Sequence, residues 1–248
     1  MDRREYNDKY SNARREQKRK TCKLCGKECT SFCKSHTLPQ MILRNIKSEG
    51  KIGSAFWGYG GRDNPDCLKQ TSGVKEAGVF YEICDDCDNS FFQEYEDPQK
   101  IINGPNALIL QLVALKTSLF YYHKYRIEQK TAPVFLGNAT GKEIIINNNL
   151  IYEKELEDEI VRNLNGIKTK ESDFYHVLFW KKLDYIIPIA YQGLLALNIN
   201  FSGIYKYGYN LPEAYIMLFP LKDCSIVCLF CKNDKNTIEQ IAFSDNLK

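Results

Sequence analysis

The chain has no apolar run long enough to read as a membrane span. Such a helix needs about 18 or more apolar residues in succession. The most apolar stretch, residues 107–122, is broken by Gln111 and Lys116 and reads as a buried core helix. The N-terminus, Met-Asp-Arg-Arg-Glu-Tyr, lacks the apolar segment of a secretory leader. A cytoplasmic protein with no membrane association is therefore the expectation. There is no internal repeat and no low-complexity tract. The Gly-Tyr-Gly-Gly at 58–61 is not followed by Gly-Lys-Ser/Thr, which excludes a phosphate loop of the nucleotide-hydrolase type. Net charge is small: +3 over 248 residues does not by itself point to a partner. That length suits one large domain or two small ones, with enough chain to bury a core.

Cysteine is in excess, with ten in the chain. Without an export signal, disulfides are disfavoured and metal binding is the better use for thiols. Cys22-x-x-Cys25, followed by Gly26, has the spacing of a zinc knuckle, and Cys84-x-x-Cys87 repeats it. A tight turn with two intervening residues aims two sulfurs at one point, and two such turns complete a tetrahedron of thiolates. Such a site is closed to water and structural. A rival ligand set remains open, because Cys29, Cys33 and His36 lie close by and Cys33-x-x-His36 could supply part of another site. Cys224, Cys228 and Cys231 lie in a strand-like run without glycine and read as buried core thiols.

The chain divides at turn signals near residue 100, Asp97-Pro98 and Asn103-Gly104-Pro105. Residues 1–20 read as a basic arm or helix, 21–100 as a zinc-stapled module, and 101–248 as a region of helices and an antiparallel sheet. The expected fold class is α+β. Short helical periodicity at 38–47 starts with Pro39 in its first turn, and 77–83 reads as a strand running into the second cysteine pair. Residues 106–129 form the longest helical candidate. Strands are expected at 143–152 and 174–180, with a charged helix at 154–165 between them, and further apolar runs follow at 185–191, 200–207, 214–220 and 224–231.

The order Cys-x-x-Cys, Ser35-His36-Thr37-Leu38-Pro39, then Cys-x-x-Cys opening a helix resembles the HNH endonuclease superfamily. More narrowly it resembles an uncharacterised bacterial HNH-like group with a Ser-His-x-x-Pro motif, a Gln-x-Gly-x-Lys-Glu stretch (here Gln70 to Glu76) and a glutamate-bearing helix after the last cysteines (Glu94 and Glu96). The resemblance covers roughly residues 20–100. It implies a treble-clef, ββα-metal-like module and a nuclease that hydrolyses phosphodiester bonds in DNA, in bacterial defence or mobile-element conflict. It implies His36 as general base and a catalytic Mg2+ or Mn2+ in addition to the structural Zn2+. Three positions depart from the superfamily pattern. Ser35 stands where an Asp ligand is usual, Asp88 stands where a His is usual, and the middle Asn is not evident in residues 77–83. Helical periodicity offers substitutes, because Asn89 and Glu96 share a face at i and i+7, with Asp88 beside them, while Phe91, Phe92 and Tyr95 form a core face.

Arg14, Arg15, Lys18, Arg19 and Lys20 run into the first knuckle and are the candidate phosphate contacts for DNA or RNA. The loop at 56–62, with Phe56, Trp57, Tyr59 and Arg62, has the composition to stack on bases. His123 and His176 have no partner motif and read as structural. The region from 101 to 248 carries no recognisable chemistry and suits a protein partner or a homo-oligomer contact. The alternative to a nuclease is a non-catalytic zinc module that binds nucleic acid or protein.

Overall fold

The computed structural model describes residues 3–16, 19–53, 71–136, 142–196 and 213–234. Helix α1 (Arg3–Glu16) leads into a knuckle closed by the Thr21–Glu28 bridge. Gly26 turns that knuckle at φ +71°, a conformation that favours glycine, and its N–H reaches the Cys22 carbonyl at 2.9 Å. Strand β1 (Ser35–His36) pairs antiparallel with β4 (Val79–Phe80), Ser35 opposite Phe80 and His36 opposite Val79. Between them come α2 (Gln40–Ile46), β2 (Lys51–Gly53) and β3 (Thr71–Gly73), the last two paired with each other. Helix α3 (Asp85–Phe91) starts at the second cysteine pair, and three acidic residues in its first turn favour the positive end of the helix dipole. Helix α4 (Pro98–Ile102) follows, capped by Asp97 on the Gln99 N–H.

Helix α5 (Ala107–Leu136) is the centre of the molecule. Asn106 caps it by accepting from the Ile109 N–H at 2.9 Å. From Ile109 to Leu119 it is buried on every side, including Gln111, Lys116, Thr117 and Ser118. Helix α6 (Lys142–Thr169) returns antiparallel along it, with Tyr125 stacked on Tyr152 and Gly166 against Gln111. An added Cβ at Gly166 would stand 2.9 Å from the Gln111 amide nitrogen and 3.1 Å from the Phe174 ring, so glycine leaves room for these two side chains.

Strands β5 (Tyr175–Leu183), β6 (Tyr191–Ala196), β7 (Glu213–Pro220) and β8 (Ser225–Lys232) form one antiparallel sheet in the order β5-β8-β7-β6. The helices pack on it through aromatic and amide side chains. Gln192 of β6 donates to Thr117 of α5 at 3.0 Å, and Tyr175 of β5 donates to Glu159 of α6 at 2.9 Å. The arrangement is α+β, as expected.

One buried cluster runs from Cys22 through Phe80, Phe92 and Leu115 to Phe230, so the residues before and after the turn near residue 100 share a core. Tyr95 adds polar ties across that turn, its hydroxyl lying 2.8 Å from the Thr37 carbonyl oxygen and also meeting Gln192. Asn45 of α2 reaches the Pro220 carbonyl at 3.0 Å.

Two local expectations need correction. Residues 143–152 are not a strand but the first part of α6. The isoleucine run there has strand propensity, yet it continues a long helix in which Ile144 and Ile151 are exposed. Helix α3 also stops at Phe91, so Asn89 and Glu96 do not share a continuous helix face; the chain continues through a turn closed by the Glu96 N–H on the Phe92 carbonyl at 3.0 Å. Phe92 and Tyr95 are fully buried as expected, and Phe91 is half-buried. Cys228 and Cys231 are buried core thiols, with burial raising them to about 12 and about 11.

Candidate metal centre and the polar site beside it

The knuckle and the start of α3 bring four sulfurs together. One sulfur from each of Cys22, Cys25, Cys84 and Cys87 lies within 4.8 Å of the others, and the Cys25 and Cys84 sulfurs are 4.0 Å apart. A zinc ion with Zn–S bonds of about 2.3 Å needs sulfurs about 3.8 Å apart. The donor set and spacing therefore fit a structural zinc. Burial raises the Cys22 thiol, but the backbone N–H groups of Cys25, Cys84 and Leu24 outweigh it and bring the group down to about 7. The Cys84 N–H lies 3.4 Å from that sulfur. These N–H groups favour the Cys22 thiolate, the form that metal binding requires. Cys84 and Cys87 are shifted upward by burial and by their sulfur neighbours, the environment of thiolates that need a cation.

The rival set is not assembled. Cys33 donates to Asp88 at 3.2 Å, Cys29 meets the Lys27 carbonyl at 3.3 Å, and His36 meets Gln40. Burial and the neighbouring Asp88 charge raise the Cys33 thiol.

Beside the cysteine cluster, the β1–β4 hairpin lays Ser35 and His36 against the start of α3. The Ser35 hydroxyl donates to Asp88 Oδ1 at 2.6 Å, across 53 positions of sequence. The Lys116 ammonium, arriving from α5, meets the same oxygen at 3.0 Å and Glu96 at 3.4 Å. It also lies 4.0 Å from the centroid of the Phe92 ring. Burial raises the Asp88 carboxyl, but Lys116, Ser35 and Cys33 together hold it below its ordinary value.

His36 is 7% exposed; its Nδ1 faces the Gln40 amide nitrogen at 3.4 Å, and its Nε2 is buried with no aligned hydrogen-bond partner. Burial lowers its pKa and the Lys116 charge adds to that, against the backbone of Val74 and Lys75 and the Asp88 carboxylate. The imidazole is neutral at pH 7. Asn89 is exposed, and among the described residues the four cysteines are the group able to hold a metal.

Of the basic arm, Arg15 and Lys20 are exposed. Arg19 is committed to the buried carboxylate of Glu82 and to the Tyr122 hydroxyl. The side chain of Arg14, all of Lys18 and the loop at 56–62 lie outside the described residues. Glu82 also takes His123 at 2.8 Å and Arg126 at 3.0 Å, which gives His123 the structural role expected for it. Burial works to raise the Glu82 carboxyl, yet these partners keep it below its ordinary value.

Lys116 and Glu82 were not singled out by sequence motifs. Lys116 had one legible signal, a charge inside an otherwise apolar helix, which requires a buried partner. Among the described residues no helix is long and apolar enough to cross a membrane. No protein-family model matches the chain, and no curated protein and no solved structure matches it.

Proposed function

We propose that the chain is an HNH-like nuclease that hydrolyses phosphodiester bonds in DNA, built on a zinc-stapled module of treble-clef type. The observation that carries this reading is the Ser35–Asp88 contact. It brings the residue before His36 onto the residue after Cys87, the two positions where the superfamily the sequence resembles usually carries an Asp ligand and a His. His36 is the general base. Its neutral ring suits it to take a proton from water at Nε2, which has no aligned hydrogen-bond partner, and Gln40 faces the other nitrogen. A half-turn of the Gln40 amide offers its oxygen to an Nδ1 proton and leaves Nε2 free to accept.

A catalytic Mg2+ or Mn2+ does not fit the residues as they stand. Asp88 and Glu96 already share the Lys116 ammonium, and Asn89 lies on the exposed surface. No step is therefore assigned to such an ion. The test is nicking of supercoiled plasmid by zinc-loaded protein, wild type against His36→Ala. Nicking that disappears in the variant supports the nuclease.

A second reading is favoured by the deep burial of both His36 and Lys116. It is a non-catalytic module that binds nucleic acid through the exposed Arg15 and Lys20. Plasmid that is retarded by folded wild type but never nicked would establish this reading instead.

A further inference from the structure

We infer that Lys116 is the cation of the site, that Glu96 holds its place for a substrate phosphate, and that hydrolysis requires no free divalent ion. The inference rests on the nuclease reading. Its basis is an asymmetry between the two carboxylates around one ammonium. Asp88 is 17% exposed, lies 3.0 Å from Nζ, and is held by Ser35 and Cys33 as well. Glu96 is 48% exposed, lies 3.4 Å away, and sits on a turn beyond the end of α3. Asp88 is the fixed partner and Glu96 the exchangeable one.

The lysine itself has nowhere else to go. Its side chain is 1% exposed, and the Phe92 ring closes one side of the ammonium. A buried ammonium needs a compensating anion at all times. Asp88 supplies it throughout, so Glu96 can swing into solvent and leave its position at the ammonium to a phosphate oxygen. The Lys116 ammonium and the Asp88 carboxylate both act on the His36 imidazole, whose buried Nε2 has no aligned hydrogen-bond partner.

The chemistry balances without a metal. Water gives a proton to His36 Nε2 as its oxygen forms the new bond to phosphorus. The bond from phosphorus to the ester oxygen breaks, and that oxygen takes a proton from solvent. The imidazolium returns its proton to solvent. The Lys116 N–H groups donate to a non-bridging phosphate oxygen, whose negative charge grows in the transition state.

The test uses the full chain, loaded with zinc, in buffer stripped of other divalent ions by a chelating resin. Supercoiled plasmid reports nicking, and a short fluorescein-labelled DNA duplex reports binding. Wild type is expected to nick equally with and without added magnesium. Lys116→Met is expected to lose about 100-fold or more in nicking rate. Glu96→Gln removes the competing charge at an exposed position and is expected to bind the duplex up to about fivefold more tightly, the scale of one half-exposed ion pair. This variant keeps the inference testable if Lys116→Met fails to fold. Nicking that appears only with magnesium overturns the inference and leaves the nuclease reading standing. Weaker binding by Glu96→Gln also overturns it. Absence of nicking under every condition overturns both.

Discussion

The Ser35 hydroxyl hydrogen-bonds the Asp88 carboxylate at 2.6 Å, and this contact fastens β1 to the helix that starts at Cys84 and carries Cys87. Ser35 is fully buried, so its removal leaves Asp88 short of a donor that water cannot easily replace. Ser35→Ala is expected to destabilise the zinc-loaded protein by about 1.5–3 kcal/mol, the range for a hydrogen bond to a charged group. Urea unfolding at pH 7 measures it. A loss under about 0.5 kcal/mol, the scale of a neutral surface substitution, would show that the contact is incidental.

Zinc content separates the two ligand sets. Cys25→Ser and Cys84→Ser should each abolish stoichiometric zinc, measured by elemental analysis, whereas Cys29→Ser and Cys33→Ser should retain it. Structural zinc contributes about 10–16 kcal/mol of apparent binding free energy, against a whole-domain stability of about 5–15 kcal/mol. Loss of the ion should therefore unfold the knuckle and the hairpin together. Circular dichroism should still show helix, because α5 and α6 also pack on each other, as in the Tyr125–Tyr152 stack, and on the sheet through Tyr175. Retention of zinc by Cys25→Ser would reject the four-cysteine site.

The cysteine spacing made the four-sulfur cluster legible because the knuckle is a local device: two residues of turn determine where two sulfurs point. Helix α5 was legible for a similar reason, since its apolar content extends over several turns. What the sequence did not reveal was pairing at long range. Nothing near Glu82 in sequence announces His123 or Arg126, and nothing near Asp88 announces Lys116. These partners meet only because α5 passes behind the hairpin. The early part of α6 misled for the opposite reason, because its isoleucines have local strand propensity yet continue a long helix in which Ile144 and Ile151 are exposed.

The basic arm divides into residues with different duties. Arg19 is bound to the buried Glu82, while Arg15 and Lys20 face solvent. Glu82→Gln should cost about 3–5 kcal/mol, because it removes a fully buried carboxylate that three partners, Arg19, His123 and Arg126, converge on. Arg15→Ala and Lys20→Ala should change stability by less than about 0.5 kcal/mol. If the arm contacts phosphates, each of these two should also lower the slope of log affinity against log salt by about one. Fluorescence anisotropy with a DNA duplex measures both affinity and slope. An unchanged slope in both variants would remove these two residues from the nucleic-acid surface.

Glu159 gives the clearest pH signature. It is 4% exposed, and the hydroxyl groups of Tyr175 and Tyr215 donate to its Oε1 at 2.9 and 3.2 Å. Its Oε2 meets Lys232 at 2.8 Å and Arg162 at 3.2 Å as ion pairs rather than aligned hydrogen bonds. Burial works to raise this carboxyl, but Lys232, Arg162 and Tyr175 overcome it and hold the group below its ordinary value. A carboxylate depressed in the folded state adds stability that is fully present above the unfolded value, about 4.3 for Glu, and is lost as pH falls through the folded value. Asp88 and Glu82 are depressed too, so wild-type acid sensitivity alone cannot isolate Glu159. The difference between wild type and Glu159→Gln does isolate it, because the other carboxylates titrate in both proteins. Wild type should be the more stable at pH 7, and its advantage should shrink as pH falls from about 5 towards 3. Denaturant unfolding at several pH values measures that gap. A gap that stays constant over the range would mean that Glu159 is not held as an anion in the folded protein.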